Sequence, residues 1–170
     1  MLLRNWYNSL AVSMGRKTMP NGHKNSSGSV RDVSYYQNGK TNAFCPEELT
    51  IRMSDFWTSS GCIIIGSGTT PPTVDDYKLE SQITSGITGS IASKFSDEGL
   101  LVFTLTLNNT SSADITIGEV GYAAGVPTSS SSSGAAALLE RTVLDEPITI
   151  PAGGVGQILY TFGLEFKPVA

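Results

Sequence analysis

Few residues of this 170-residue chain have types and spacings that suit chemistry. Gly66-Ser67-Gly68 comes nearest to a phosphate loop, where glycines let backbone N–H groups close around phosphate oxygens. It lacks the Gly-Lys-Ser/Thr ending and no helical pattern follows, so a sharp turn accounts for it. Asp75-Asp76 is an acidic pair. Adjacent carboxylates in a strand face opposite sides, which does not suit a shared acid/base task. In a turn they would hold calcium through their oxygens or cap backbone amides, and capping is the expected role. Glu119 alternates with Ile115 and Ile117, which puts it on their apolar face. A carboxylate there needs a partner, and Arg141 or Lys78 is expected to supply it. Asp145-Glu146 reads as a solvated strand end.

The remaining reactive types are isolated. His23 is the single histidine and lies in a polar segment with no acid or nucleophile fixed beside it, so neither a triad nor a general base is expected. Cys45 and Cys62 match no zinc pattern, since a closed site takes about four ligands. They read as small buried side chains more readily than as a disulfide. Trp6, Trp57, Tyr77, Tyr122 and Tyr160 would make a sugar platform if they were exposed together, although core aromatics are the commoner case. A glycan hydrolase would need two facing carboxylates, and no second acid can be placed near Glu119 from sequence. The expectation is no enzyme, no metal and no cofactor.

The elements that position these residues are strands. Charged residues make up 15% of the chain, against about 25% in a typical domain, and 18 glycines punctuate it. Ile63-Ile64-Ile65 is a β-branched run that suits a strand covered on both faces. Further strands are expected over 33–37, 49–53, 78–83, 87–95, 101–108, 115–122, 138–144, 146–150 and 156–166. Turns are expected at 38–39, 66–72, 108–112 and 151–154, and the Ser-rich 128–134 reads as an exposed loop. Strand signals every 8–12 residues without intervening helices point to an all-β fold. The expected body is an antiparallel β-sandwich or jelly-roll-like domain of about eight strands over 41–170.

Residues 1–40 read differently. Leu3, Trp6, Tyr7, Leu10 and Met14 recur at helical spacing over 2–14, ahead of Gly15. The short amphipathic helix this implies is marginal alone and must bury its face, either on its own body or on a partner. Residues 20–29 read as a linker, which favours the partner. The segment carries net charge +5 and the remainder −9. A basic arm with Arg16 and Lys17 beside the helix suits an acidic protein surface or nucleic acid. The expected docking residues are therefore Leu3, Trp6, Tyr7, Leu10, Met14, Arg16 and Lys17. No apolar run approaches the roughly 20 residues of a membrane-spanning helix, and the N-terminus lacks the order of a secretory signal, so synthesis in the cytoplasm and no membrane contact are expected.

Several blocks carry a resemblance. Gly66-Ser67-Gly68-Thr69-Thr70-Pro71-Pro72-Thr73-Val74-Asp75-Asp76-Tyr77-Lys78-Leu79-Glu80-Ser81 resembles a block of small virion structural proteins of tailed bacteriophages. Ile115 to Gly121, Leu138 to Leu144 running into Pro147 to Gly154, and the opening Leu3-Arg4-Asn5-Trp6-Tyr7-Asn8 are similar to the same group. The resemblance implies a phage structural component located in the virion. Its partners would be other virion proteins, capsid or tail subunits, and it would form a homo-oligomer. Within that group a head-associated decoration or fibre-base protein anchored by its N-terminal arm is expected ahead of a tail or baseplate part. The resemblance supplies no functional residues. The expectation from another class is a carbohydrate-binding β-sandwich for host-surface recognition.

Overall fold

The computed structural model describes residues 1–8, 19–25, 27–33, 50–51, 62–95, 101–128 and 131–162. The described residues are all-β apart from one helical turn at residues 4–8. Among the described residues nine strands occur: β1 (Met19–Lys24), β2 (Val30–Val33), β3 (Thr50–Ile51), β4 (Cys62–Gly66), β5 (Ile87–Phe95), β6 (Leu101–Asn109), β7 (Ile115–Thr128), β8 (Ser131–Ile150) and β9 (Val155–Phe162). One sheet has the order β1-β2-β7-β4-β3, with β8 also pairing β7, and a three-stranded sheet has the order β5-β6-β9. All registered pairs are antiparallel except β3 on β4, which is parallel.

Two compact units result, Met1–Ser85 with Thr116–Ile148, and Gly86–Ile115 with Thr149–Ala170. This cuts across the expected division at residue 40, because the described N-terminal segments are built into the first unit. Of residues 20–29, expected as a linker, 20–24 lie in β1, and 25 and 27–29 belong to the turn to β2. Asn25 makes that turn, with its Oδ1 accepting from Ser29 N at 2.8 Å. The expected helix over 2–14 is helical at residues 4–8, and 9–18 lie outside the described residues. Leu2 instead bridges Glu140 on β8, and Leu3 N donates to Leu139 O at 2.9 Å.

In the first unit, all five residues of β4 are buried, and Ile63, Ile64 and Ile65 have no exposed surface. That is the environment expected for an unalternated β-branched run. β7 lies against β4 in continuous register from Cys62 opposite Ala123 to Gly66 opposite Glu119. Leu3, Cys62, Ile64, Leu79, Ala123 and Leu138 form one buried cluster. Gly121 makes room for it, since a Cβ there would come 2.8 Å from Leu138 Cδ1 and 3.0 Å from Leu79 Cδ2.

In the second unit the alternation is regular. Phe103, Leu105 and Leu107 are buried on β6 and face Tyr160, Ile158 and Gly156 of β9. Asn109 ends β6 buried, and its Nδ2 donates to the carbonyls of Ala113, Ile150 and Pro151. Its Oδ1 accepts from Ser111 N at 2.9 Å, which makes the expected 108–112 turn.

Two strand expectations and one loop expectation are corrected. The segment 78–83 is no strand, because its side chains and amides serve a loop, with only Gln82 bridging Gly66. The two strands expected over 138–144 and 146–150 are one, β8, with Pro147 inside it. Proline lacks the N–H but keeps an extended φ, so it is tolerated where no ladder bond is needed. The Ser-rich 128–134 is not a loop throughout, since β7 runs to Thr128 and β8 begins at Ser131. The expected strand residues 34–37, 49 and 52–53, the 38–39 turn, Trp57 and Cys45 lie outside the described residues, as do 163–166.

Candidate functional site

The chemically dense part of the first unit is the 67–81 loop and what lies beneath it. Ser67 N donates to Ser81 O at 2.8 Å and Ile83 N to Ile65 O at 2.9 Å, so the loop leaves and rejoins β4 at one point. Compact loops with close ends of this kind are packed by their own side chains. Register places Glu119 directly opposite Gly66 at that base. The absent side chains at Gly66 and Gly68 give the carboxylate its space. A Cβ on Gly68 would come 2.6 Å from Glu119 Oε1.

Glu119 has no exposed surface. Its Oε1 accepts from Ser81 N at 2.8 Å and Gly68 N at 3.3 Å, and its Oε2 from Glu80 N at 3.2 Å. Arg141, projecting from β8 and 4% exposed in its side chain, donates from Nε to Glu119 Oε2 at 2.7 Å. Nη1 donates to Asp76 Oδ2 at 2.7 Å and Nη2 to Thr70 O at 3.1 Å, with Glu80 Oε2 at 3.6 Å. The planar guanidinium thus joins one buried strand carboxylate to three points of the loop, a geometry a lysine ammonium does not offer. Of the two partners expected for Glu119, the structure brings Arg141 to it, while Lys78 is exposed.

The loop's own carboxylates face inward to its backbone. Glu80 Oε2 accepts from Thr69 N and Thr70 N, both at 2.9 Å, and Oε1 from Thr70 Oγ1 at 2.7 Å. Those bonds, with Arg141, hold Glu80 below the usual carboxylate range. Asp76 accepts from Thr73 N at 3.0 Å and Thr73 Oγ1 at 2.7 Å. Burial pushes Asp76 up, but the bonds from Thr73 and Arg141 outweigh it and the group is lowered. Asp75 faces Arg4, whose Nε donates to it at 2.5 Å, and it too is lowered. The capping role expected for the acidic pair is what Asp76 does, while Asp75 ties the loop to the N-terminal segment. Arg4 N also donates to Val74 O at 2.8 Å.

That segment is held by a residue the sequence reading missed. Asn5 is buried, with Nδ2 donating to Lys24 O at 2.8 Å and Leu138 O at 3.1 Å, and Oδ1 accepting from Lys24 N at 2.9 Å. Only the position of Asn5 within the opening block hinted at it. Of the expected docking residues, Leu3 and Trp6 are buried in the chain's own core and Tyr7 is 53% exposed. Leu10, Met14, Arg16 and Lys17 lie outside the described residues. Leu3 and Trp6 are corrected accordingly, because the apolar face of so short a helical turn is covered by the chain itself.

Glu140 has the opposite environment to its neighbour. Burial pushes it up, against hydrogen bonds from the Met1 ammonium and Thr142. It faces no recess. The recess beside the loop has a volume of about 270 Å³ and is lined by Thr70, Thr73, Asp76, Tyr77, Glu80 and Arg141 among others. Its Thr70, Thr73, Asp76, Glu80 and Arg141 groups are engaged with one another. Among the aromatics considered as a sugar platform, Trp6, Tyr122 and Tyr160 are buried. Tyr77 carries the Lys24 ammonium over its ring at 4.0 Å.

The chain matches no family model, no curated protein and no solved structure.

Proposed function

We propose that the chain is a structural component of a tailed-phage virion, head-associated as a decoration or fibre-base protein. The observation that carries the reading is where the four phage-like blocks meet. Arg4 and Asn5 come from the opening block. Gly68, Thr70, Asp75, Asp76 and Glu80 come from the second, Glu119 from the third and Arg141 from the fourth. The residues that carry the resemblance thus share one hydrogen-bonded framework, buried at Asn5, Glu119 and Arg141 and exposed at Arg4, Asp75 and Glu80, as in a protein whose work is to hold shape. The proposed role is non-enzymatic. A hydrolytic acid must hold a proton near neutral pH, and beside the recess Asp76 and Glu80 are both lowered, so neither suits that task; the raised Glu140 is tied to the Met1 ammonium and Thr142.

The proposal includes an antiparallel β-sandwich or jelly-roll body and a homo-oligomeric assembly on capsid or tail subunits. Docking is assigned to Tyr7, Leu10, Met14, Arg16 and Lys17, and the basic segment would face an acidic protein surface or nucleic acid. Mass spectrometry of gradient-purified tailed particles from the host that carries the gene should find the chain as a stoichiometric component. Particles that lack it would overturn the reading.

A further inference from the structure

The edges of the two sheets are treated unequally. Exposed strand edges are templates for further pairing, and proteins blunt them with short strands, bulges, proline and charge. Among the described residues, β3 ends its sheet with two residues. β1 ends it with Pro20, a register shift between Met19 and His23, and Asn21 in the left-handed region at φ 52°. β5 exposes Thr88, Ser90 and Ala92 and contains Lys94. β9 has none of these devices. Its eight residues, Val155-Gly156-Gln157-Ile158-Leu159-Tyr160-Thr161-Phe162, include no proline and no charge. Its pairing with β6 is unbroken from Val155 opposite Asn108 to Phe162 opposite Leu101. It also carries the two most exposed large apolar side chains among the described residues, Val155 at 63% and Leu159 at 71%.

We infer that β9 is the contact through which two copies of this chain associate, pairing antiparallel across a two-fold axis. Two considerations favour a second copy as the occupant. The whole chain carries net charge −4, and an uncharged strand is where two copies approach with least repulsion. A two-fold contact must be complementary to itself, and a strand with no charge meets that condition in any register. Strand length then fixes the alignment. Directly opposed residues share a face, so their numbers sum to an even value. Pairing that uses nearly all of 155–162 therefore centres on Ile158 or Leu159. The Leu159-centred register sets Leu159 against its own copy, Gln157 against Thr161 and Ile158 against Tyr160. The Ile158-centred one would set Leu159 against Gln157. Apolar cross-strand pairs select the first.

The inference rests on the homo-oligomeric part of the proposed function and names its contact. Its test uses purified full-length chain without particles, so its failure is separate from that of the virion reading. Analytical ultracentrifugation should give twice the 18.0 kDa chain mass. Leu159→Lys, at an exposed site, should weaken self-association about tenfold or more by placing two ammonium groups at the axis, with an unchanged circular dichroism spectrum. Should the lysine variant not fold, Leu159→Thr keeps strand preference and removes the apolar contact, and it should weaken association in the same direction. Leu159→Cys should form a covalent dimer under mild oxidation that the unsubstituted chain does not form. A monomer, a trimer, or a dimer indifferent to Leu159→Lys or Leu159→Thr would overturn the proposal.

Discussion

Arg141 holds the loop framework together, and its substitution separates two contributions. Breaking a buried pair by removing one partner leaves an uncompensated charge, which costs about 3–5 kcal/mol. Arg141→Met leaves Glu119 with backbone amides alone, and urea denaturation should show a loss in that range. A loss under about 1 kcal/mol would mean that water reaches the carboxylate. Glu119 is legible in the sequence because its alternation with Ile115 and Ile117 puts it on an apolar face, and a buried carboxylate requires a partner. Asn5 and Asn109 are not legible. Asn5 joins backbone groups of Lys24 and Leu138, and Asn109 adds the distant carbonyls of Ile150 and Pro151 to its local turn bonds, and no local spacing marks an asparagine that distant segments will enclose. Tyr7 illustrates the opposite failure. Its helical spacing with Leu3 is real, yet the helical turn at 4–8 buries Leu3 and Trp6 and leaves Tyr7 in solvent.

At the scale of the element, the 67–81 loop is fastened by carboxylates, and its attachment depends on pH. Asp76 and Glu80 are lowered in the folded chain. The folded state therefore binds fewer protons than the unfolded one, and their contribution is complete above the ordinary carboxylate range. It is lost as pH falls through the folded values, below about pH 4. Glu140 is raised, so its contribution has the reverse sign: the folded chain holds that proton more tightly, and acidification through its folded value favours folding. Proteolysis within 67–81 should stay slow from neutral pH to about pH 5 and accelerate below about pH 4, with Asp76→Asn reducing the change. Cleavage equally fast at neutral pH would show that the framework does not restrain the loop. The strands were easier to read than the loop. β6 follows period-two alternation from Val102 to Asn109. The segment 78–83 alternates too, but Glu119 takes the amides of Glu80 and Ser81 that a ladder would need.

At the scale of the whole molecule, the all-β class was legible from low charge, frequent glycine and strand signals, and the division into units was not. The charge step near residue 40 suggests an arm, yet Leu3 and Trp6 are core residues and β1 and β2 join the sheet through Val33 opposite Thr128. Removing residues 1–8 takes away two buried apolar side chains worth about 1.5–3 kcal/mol each. The unfolding midpoint in urea should fall by a matching amount, and an unchanged midpoint would restore the arm reading. The bond from Leu3 N to Leu139 O bears on the order in which the chain is made. Residues 1–8 leave the ribosome long before β8, so Leu3 and Asn5 wait through most of synthesis for the strand that receives them. Arg141 arrives in the same short stretch and fastens the loop. The first unit therefore completes late, and in one step, and contacts of such long sequence separation place its folding toward the slow end for its size.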